Sequence, residues 1–235
     1  LTGNGIYRIE DLSSAPDEDS VPFVTTVVQE NGVQALSTAF YNGGIKPTYR
    51  VKSKSGYVIG GTGVHRIKVL TPDGIVDWRY LDEIRPGDFL AINRCTDLWA
   101  SEKLDLSPYH NTDGRKDVEL PSVLDERLGG VLGYLVGDGT WNDDHATSFT
   151  VENPETWERL RILMDSLFGE CQTQMDKRTD NTGRLAFYSV RVRRFLDAIG
   201  WKLNTERDKK SVPWAILRSP KSVVCAFLSG LFETD

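Results

Sequence analysis

Residues 128–139 read LGGVLGYLVGDG, and residues 225–235 read CAFLSGLFETD. Both segments are apolar and carry small residues four positions apart, which places those residues on one face of a helix. Each glycine in a helix interior costs about 1 kcal/mol relative to alanine, so the pattern indicates a compensating close approach of two backbones. The small residues are Gly129, Gly133 and Gly137 in the first segment and Ala226 and Gly230 in the second. The sequence therefore predicts two helices that pack tightly against each other.

Each predicted helix ends in an acidic residue, Asp138 in the first segment and Asp235 in the second. If the helices pack side by side, the two carboxylates emerge together and repel each other unless a cation lies between them. Hard oxygen ligands suit Mg²⁺, and the helix C-termini add partial negative charge. The residues thus predict a Mg²⁺ site of the kind that handles phosphodiesters. The alternative to a metal site is a pair of core helices in which the two acids only cap the helix ends.

The segments LGYLVGDG and FLSGLFETD resemble the two dodecapeptide motifs of LAGLIDADG homing endonucleases. The resemblance implies that Asp138 and Asp235 are catalytic, metal-binding acids, one for each strand of a double-stranded DNA target. KKSVPWAI at residues 209–216 is similar to the basic block that precedes the second motif of this family. In that block, Lys210 corresponds to the lysine that supports strand cleavage by stabilising developing phosphate charge. Lys209 is a neighbouring candidate for DNA contact.

The charge of the chain is unevenly distributed. The formal net charge is -6, but residues 170–221 contain 12 lysines or arginines against 6 aspartates or glutamates. Phosphate contacts depend on the local charge, so this segment is a candidate DNA-binding region, although a solvated helix face would look the same. The candidate phosphate contacts on or beside a predicted sheet are Arg184, Arg191, Arg193 and Arg194.

The periodicity of the sequence changes along the chain and predicts a multi-domain protein. Residues 1–97 form short runs rich in Val, Ile, Tyr and Thr between turn signals such as Asp73-Gly74, which predicts an all-β domain. Residues 98–118 are polar and are predicted to be a linker. Residues 119–235 are predicted to form an α+β domain. Its predicted helices lie near 124–136, 154–168, 192–199 and 219–231, and its strands near 147–151, 171–176 and 185–190.

The all-β region contains one segment with candidate chemistry, GTGVHRIKVL at residues 61–70. His65 can donate a proton to the leaving nitrogen of a strained peptide bond, while the Thr62 hydroxyl holds the scissile carbonyl. The spacing of Thr62 and His65 is also compatible with an ordinary surface histidine that precedes a strand.

Three segments of this region resemble, in order, three blocks of the N-terminal splicing region of inteins. They are LTGNGIYRIEDL at 1–12, GYVIGGTGVHRIKVLTPDG at 56–74 and LDEIRPGDFLAI at 81–92. The resemblance implies the all-β, horseshoe-shaped Hint fold with an inserted endonuclease, and host-protein flanks (exteins) as partners. It implies that Thr62 and His65 assist the N-terminal acyl shift. The pattern around His65, with Trp78, looks most like inteins within ribonucleotide reductases.

The chain departs from the intein pattern at both ends. Inteins begin with a Cys or Ser nucleophile, whereas the numbering opens at Leu1, and the C-terminal splicing blocks and the rest of the second endonuclease half are absent. We expect a fragment that neither splices nor cuts DNA efficiently alone and that needs a complementary C-terminal segment. The alternatives are a free-standing LAGLIDADG endonuclease or maturase with an accessory β domain, and a non-enzymatic two-domain protein.

The remaining features indicate a cytoplasmic protein. The three cysteines are scattered without a C-x-x-C pair, which fits a reducing compartment and argues against a disulfide framework. The sequence contains no secretion signal and no apolar stretch near the roughly 18 residues that a membrane span needs, so no membrane partner is expected.

Overall fold

The computed structural model of the chain describes residues 1–30, 32–93, 99–113, 118–142, 146–151, 153–169, 174–175, 183–202 and 210–234. The chain folds as two compact units. The first unit is Ile9–Asp97, and the second combines Leu98–Asp235 with the N-terminal segment Leu1–Arg8.

The first unit consists of antiparallel β-strands joined by short turns. β1 pairs with β2, β3 pairs with β4, and β5 lies between β6 and β7. Gly74 adopts a φ of 80° in the β5–β6 turn, a conformation that favours glycine and fits the predicted hairpin at Asp73-Gly74. The strands are β1 (Asp19–Val28), β2 (Gln34–Asn42), β3 (Thr48–Lys52), β4 (Val58–Thr62), β5 (Arg66–Leu70), β6 (Val76–Tyr80) and β7 (Phe89–Leu90).

The hydrophobic core of the first unit is small. Among its described residues, the buried hydrophobic side chains are Val69 and Leu81. Many apolar side chains of the same unit are exposed, including Val24, Leu36, Tyr41, Trp78 and Phe89. The first unit therefore leaves much of its apolar side-chain area exposed.

The second unit combines helices with one four-stranded antiparallel sheet. The strand order in the sheet is β10-β11-β9-β8. The helices are α1 (Glu126–Asp138), α2 (Pro154–Phe168), α3 (Val190–Ala198), α4 (Trp214–Leu217) and α5 (Lys221–Phe232). The strands are β8 (Gly139–Asn142), β9 (Ala146–Val151), β10 (Gln174–Met175) and β11 (Gly183–Tyr188). Among the described residues, no helix combines the length and the apolar character needed to cross a membrane.

Local signals start the longer helices of this unit. The Asp125 side chain accepts hydrogen bonds from the backbone N–H groups of Arg127 and Leu128 at the start of α1. The Asn153 side chain caps α2 in the same way, with Pro154 at its first position. Such caps satisfy backbone donors that have no partner within the helix, and each contributes about 1 kcal/mol.

The predicted linker is part of the second unit. Leu106 is fully buried in the hydrophobic core formed by the helices and the sheet, and Leu104 and Tyr109 pack against that core. The Tyr109 ring lies 5.1 Å from the Trp214 ring, centroid to centroid. The described part of residues 98–118 therefore behaves as packed structure rather than as a flexible connection.

The first eight residues also pack with the second unit, although the predicted all-β domain spans 1–97. The Ile6 N–H donates to the Leu217 carbonyl at 2.8 Å. The Tyr7 ring stacks on the Arg218 guanidinium at 4.0 Å. These contacts explain why Leu1–Arg8 groups with Leu98–Asp235.

Candidate functional site

The two glycine-bearing helices, α1 and α5, pack directly against each other through their backbones. A Cβ atom added at Gly129 would lie 2.9 Å from the Val223 carbonyl oxygen. One added at Gly133 would overlap the Phe227 carbonyl oxygen, and one at Gly230 would overlap the Gly130 carbonyl oxygen. The predicted contact between the two small-residue faces is confirmed.

The contact between the helices continues to the end that carries the acidic motifs. A Cβ atom at Gly137 would lie 2.7 Å from the Thr234 Cβ, so the side chain of Thr234 fills the place that glycine leaves open. Asp138 follows Gly137 as the last residue of α1 and is exposed. Asp235 lies outside the described residues. The residue that immediately precedes each motif acid therefore contacts its counterpart in the other motif.

Lys210 lies at the same end of α1. Its Nζ donates a hydrogen bond to the Gly137 carbonyl oxygen. A cation is favourable at a helix C-terminus, where the unpaired carbonyls carry partial negative charge. Lys210 and Gly137 are 73 positions apart in sequence. The structure thus brings Lys210 next to the residue that precedes Asp138. Lys209 lies outside the described residues.

A single arginine of α2 connects the last turn of α1 with the end of α5. Arg159 Nη2 donates to the Tyr134 hydroxyl at 2.6 Å and to the Glu233 carboxylate. Tyr134 is buried on α1, and Glu233 caps the C-terminus of α5. Arg159 is absent from the residues that the sequence predicts for the site, because a contact between residues 25 and 74 positions apart leaves no local pattern.

The other ends of α1 and α5 are joined by Glu126. Its carboxylate accepts hydrogen bonds from Lys103 Nζ at 2.6 Å and from the Ser222 hydroxyl at 2.7 Å. These bonds lower the pKa of Glu126 to about 2, and the bond from Lys103 makes the largest contribution. Polar links therefore join the two helices at both ends of their glycine contact.

The candidate DNA-binding arginines occupy two different elements. Arg184 lies in β11, opposite Thr150 of β9 in the backbone register. Arg191, Arg193 and Arg194 lie in α3, which packs against β9. Arg194 pairs with Asp113 at 2.7 Å, an exposed ion pair that offsets part of its charge.

The Thr62–His65 segment of the first unit forms a tight loop between β4 and β5. The His65 N–H donates to the Thr62 carbonyl at 3.0 Å, and the Leu81 N–H donates to the His65 carbonyl at 2.8 Å. Thr62 is half-buried and His65 is exposed. A Cβ atom at Gly63 would lie 2.6 Å from the Asp82 carboxylate, so glycine allows Asp82 to pack on this loop.

The chain is similar to parts of several larger proteins. No family model matches the chain. A replicative DNA helicase DnaB of Rhodothermus marinus is 26% identical over 260 residues, which cover 100% of this chain and 24% of the helicase. One component of the A-type ATP synthase of Pyrococcus horikoshii is 26% identical over 208 residues, covering 86% of this chain and 20% of that protein. One component of the DNA gyrase of Mycobacterium kansasii is 23% identical over 250 residues, covering 100% of this chain and 42% of that protein. The chain thus spans less than half the length of each of these relatives.

Proposed function

We propose that the chain belongs to an intein in which an all-β Hint-type splicing unit carries an inserted LAGLIDADG homing endonuclease. The contact of Gly137 with Thr234 is the observation on which the endonuclease depends, because it joins the two motifs at the residues just before their acids. Thr234 is bonded directly to Asp235. The second acid therefore follows a residue that already touches the first motif.

The residues at this end of the helices fit a hard divalent cation. Asp138 is an exposed carboxylate at a helix C-terminus, and both features favour Mg²⁺. Among the described residues, no group of three or more His, Cys, Asp or Glu side chains could hold a metal, so the site depends on Asp235. When bound, Mg²⁺ would supply a Lewis acid and an activated water for phosphodiester hydrolysis.

The basic residues have separate roles in this proposal. Lys210, fixed at the end of α1, stabilises the negative charge that develops on the phosphate during strand cleavage. Lys209, Arg184, Arg191, Arg193 and Arg194 contribute phosphate contacts that hold double-stranded DNA.

The identities of the relatives support the splicing part of the proposal. The relatives are different proteins: a helicase, a component of an ATP synthase and a component of a gyrase. In each of them, the part that matches this chain is less than half of the relative's length. A segment shared by proteins of different kinds is what an inserted, self-excising element would produce. In such an element, His65 protonates the leaving amide nitrogen and Thr62 holds the scissile carbonyl of the upstream host flank.

The small core of the first unit supports the need for a complementary C-terminal segment. The exposed Val24, Leu36 and Trp78 lie in strands whose apolar side chains would be covered by further β structure. We infer that this segment completes the horseshoe and supplies the remaining splicing residues.

Two substitutions in the complete protein, with its host flanks, test both activities together. Asp138→Asn is expected to abolish cleavage of at least one DNA strand in Mg²⁺ and to leave splicing unchanged. His65→Ala is expected to block the N-terminal acyl shift and to leave DNA cleavage unchanged. Splicing is measured by mass spectrometry and cleavage on plasmids that carry the uninterrupted host gene. Full double-strand cutting by Asp138→Asn would refute the nuclease assignment, and normal splicing by His65→Ala would refute the role of His65.

A further inference from the structure

We propose that Arg159 is a positioning residue that holds the terminal turn of the second acidic motif in place for metal binding. The inference rests on the proposed function, because it concerns the same pair of acids. Arg159 lies in α2, outside both acidic motifs.

The contacts of Arg159 join three helices through one guanidinium group. Its Nη2 bonds both to the Tyr134 hydroxyl of α1 and to the Glu233 carboxylate at the end of α5. Tyr134 is only 6% exposed, and its ring lies 3.1 Å from the position that a Cβ on Gly230 would take. Tyr134 is therefore fixed in the α1–α5 contact and gives Arg159 a rigid anchor. Through that anchor, Arg159 holds Glu233, two positions before Asp235.

The two motifs differ at the position that Arg159 binds. Glu233 precedes Asp235 by two residues, and the equivalent residue before Asp138 is the apolar Val136. Asp138 ends α1 and is followed directly by β8, which is hydrogen-bonded to β9. The first acid is thus held by elements on both sides. In the described part of the second motif, Thr234 contacts Gly137 and donates from its hydroxyl to the Leu231 carbonyl at 2.6 Å, and Glu233 accepts from Arg159. Of these bonds, that of Arg159 ties the terminal turn to a third helix.

Arg159 is therefore expected to affect the second motif more than the overall stability. The ion pair is partly solvated, with side-chain exposures of 52% for Arg159 and 36% for Glu233, and such pairs contribute little to global stability. The same bonds restrict the motion of one turn of α5. A metal ligand that follows a mobile turn binds its cation less tightly, since binding must then order the turn.

Arg161 offers a matched control on the same helix. It forms ion pairs with Glu158 and, at 2.8 Å, with Asp165, so its partners among the described residues belong to α2 itself. Arg161→Ala thus removes an equivalent charge and comparable ion pairs without changing the contact under test.

The experiment compares Arg159→Ala, Arg159→Lys and Arg161→Ala in the full chain. Arg159→Ala is expected to accelerate hydrogen exchange of the Glu233 and Thr234 amides by about tenfold. It is also expected to weaken Mg²⁺ binding, measured by calorimetry, by about tenfold. Arg161→Ala should change neither quantity, and Arg159→Lys should restore part of both. Amide exchange and Mg²⁺ affinity equal to those of Arg161→Ala would overturn the inference.

Two further variants keep the outcome interpretable. If Arg159→Ala does not fold, Glu233→Gln removes the charge from the other end of the same ion pair and is expected to give the same local effects. Asp138→Asn separates the two proposals. If Asp138→Asn leaves Mg²⁺ binding unchanged, the proposed function fails, whereas loss of binding in Asp138→Asn with no effect of Arg159→Ala refutes the positioning role alone.

Discussion

At the scale of single residues, the site depends on positions where no side chain is present. Gly133 and Gly230 lie where the carbonyl groups of the opposite helix occupy the space of a Cβ atom. Gly130, on the same helix as Gly133, has more room, because a Cβ there would lie 3.8 Å from the nearest atom of α5. The helix propensity lost at these glycines is offset by the close backbone contact that they allow.

This difference predicts opposite effects for two glycine substitutions. Gly133→Ala is expected to lower the free energy of unfolding by about 3 kcal/mol or more, because the added methyl overlaps backbone atoms that cannot move aside. Gly130→Ala, the control, is expected to be neutral or to stabilise the protein by up to about 1 kcal/mol through helix propensity. Urea unfolding of both variants measures the difference. Equal effects of the two substitutions would contradict the packing described for α1 and α5.

At the scale of elements, the sequence predicts those whose signals are local. The predicted helix at 154–168 is α2 to the residue, because Asn153, Pro154 and Gly169 mark both its ends. The segment 98–118 shows no periodicity, so the sequence predicts a linker. In the structure, Leu106 of this segment is buried through contacts with residues distant in sequence, which no local pattern reveals. The sequence predicts the pairing of α1 with α5, although the two helices are distant in sequence, but it does not predict the contribution of Arg159. A repeated motif is visible in a sequence, and a single arginine of another helix is not.

The link between the N-terminal ends of α1 and α5 predicts a pH dependence. The hydrogen bonds to Glu126 lower its pKa from 4.5 to about 2, so the folded state favours the charged carboxylate. The resulting stability is fully present above the unfolded-state pKa of 4.5 and is lost as the pH falls towards 2. Because the side chain is 43% exposed, we expect Glu126→Gln to cost no more than about 1 kcal/mol at pH 7.

Unfolding of the wild type and of Glu126→Gln at several pH values measures this contribution. Their difference in unfolding free energy is expected to shrink between pH 4.5 and pH 2, the interval set by the two pKa values. Glu155→Gln, an exposed acid in the first turn of α2, serves as the control. A difference that stays constant over this interval would show that the carboxylate is not held by Lys103 and Ser222.

At the scale of the whole molecule, the two units differ in how much apolar surface they bury. The described hydrophobic core of the first unit consists of Val69 and Leu81, whereas the helices and sheet of the second unit share an extensive core. Hydrophobic burial is the main favourable contribution to folding, and each fully buried aliphatic side chain contributes about 1.5–3 kcal/mol. The units are therefore expected to differ in stability.

Native-state hydrogen exchange is expected to resolve this difference. The amides of β3, β4 and β6 should exchange at least about tenfold faster than those in the middle of α1 and α5, because the smaller core opens at a lower free energy. The exchange rates are measured by NMR or by mass spectrometry on the full chain. Equal protection of both units would indicate that they unfold as one cooperative body.

The backbone contact between α1 and α5 also bears on how such a protein diverges. Main-chain atoms of the opposite helix lie against Gly129, Gly133 and Gly230, so the separation of the two helices is set within this contact and not by side chains on the sheet or on α3. Surface positions on the sheet and on α3 can then vary from one lineage to another while the spacing of the helix ends persists. Under the proposed function, we expect substitutions at the DNA-contacting surface to leave the spacing of the two motif acids unchanged.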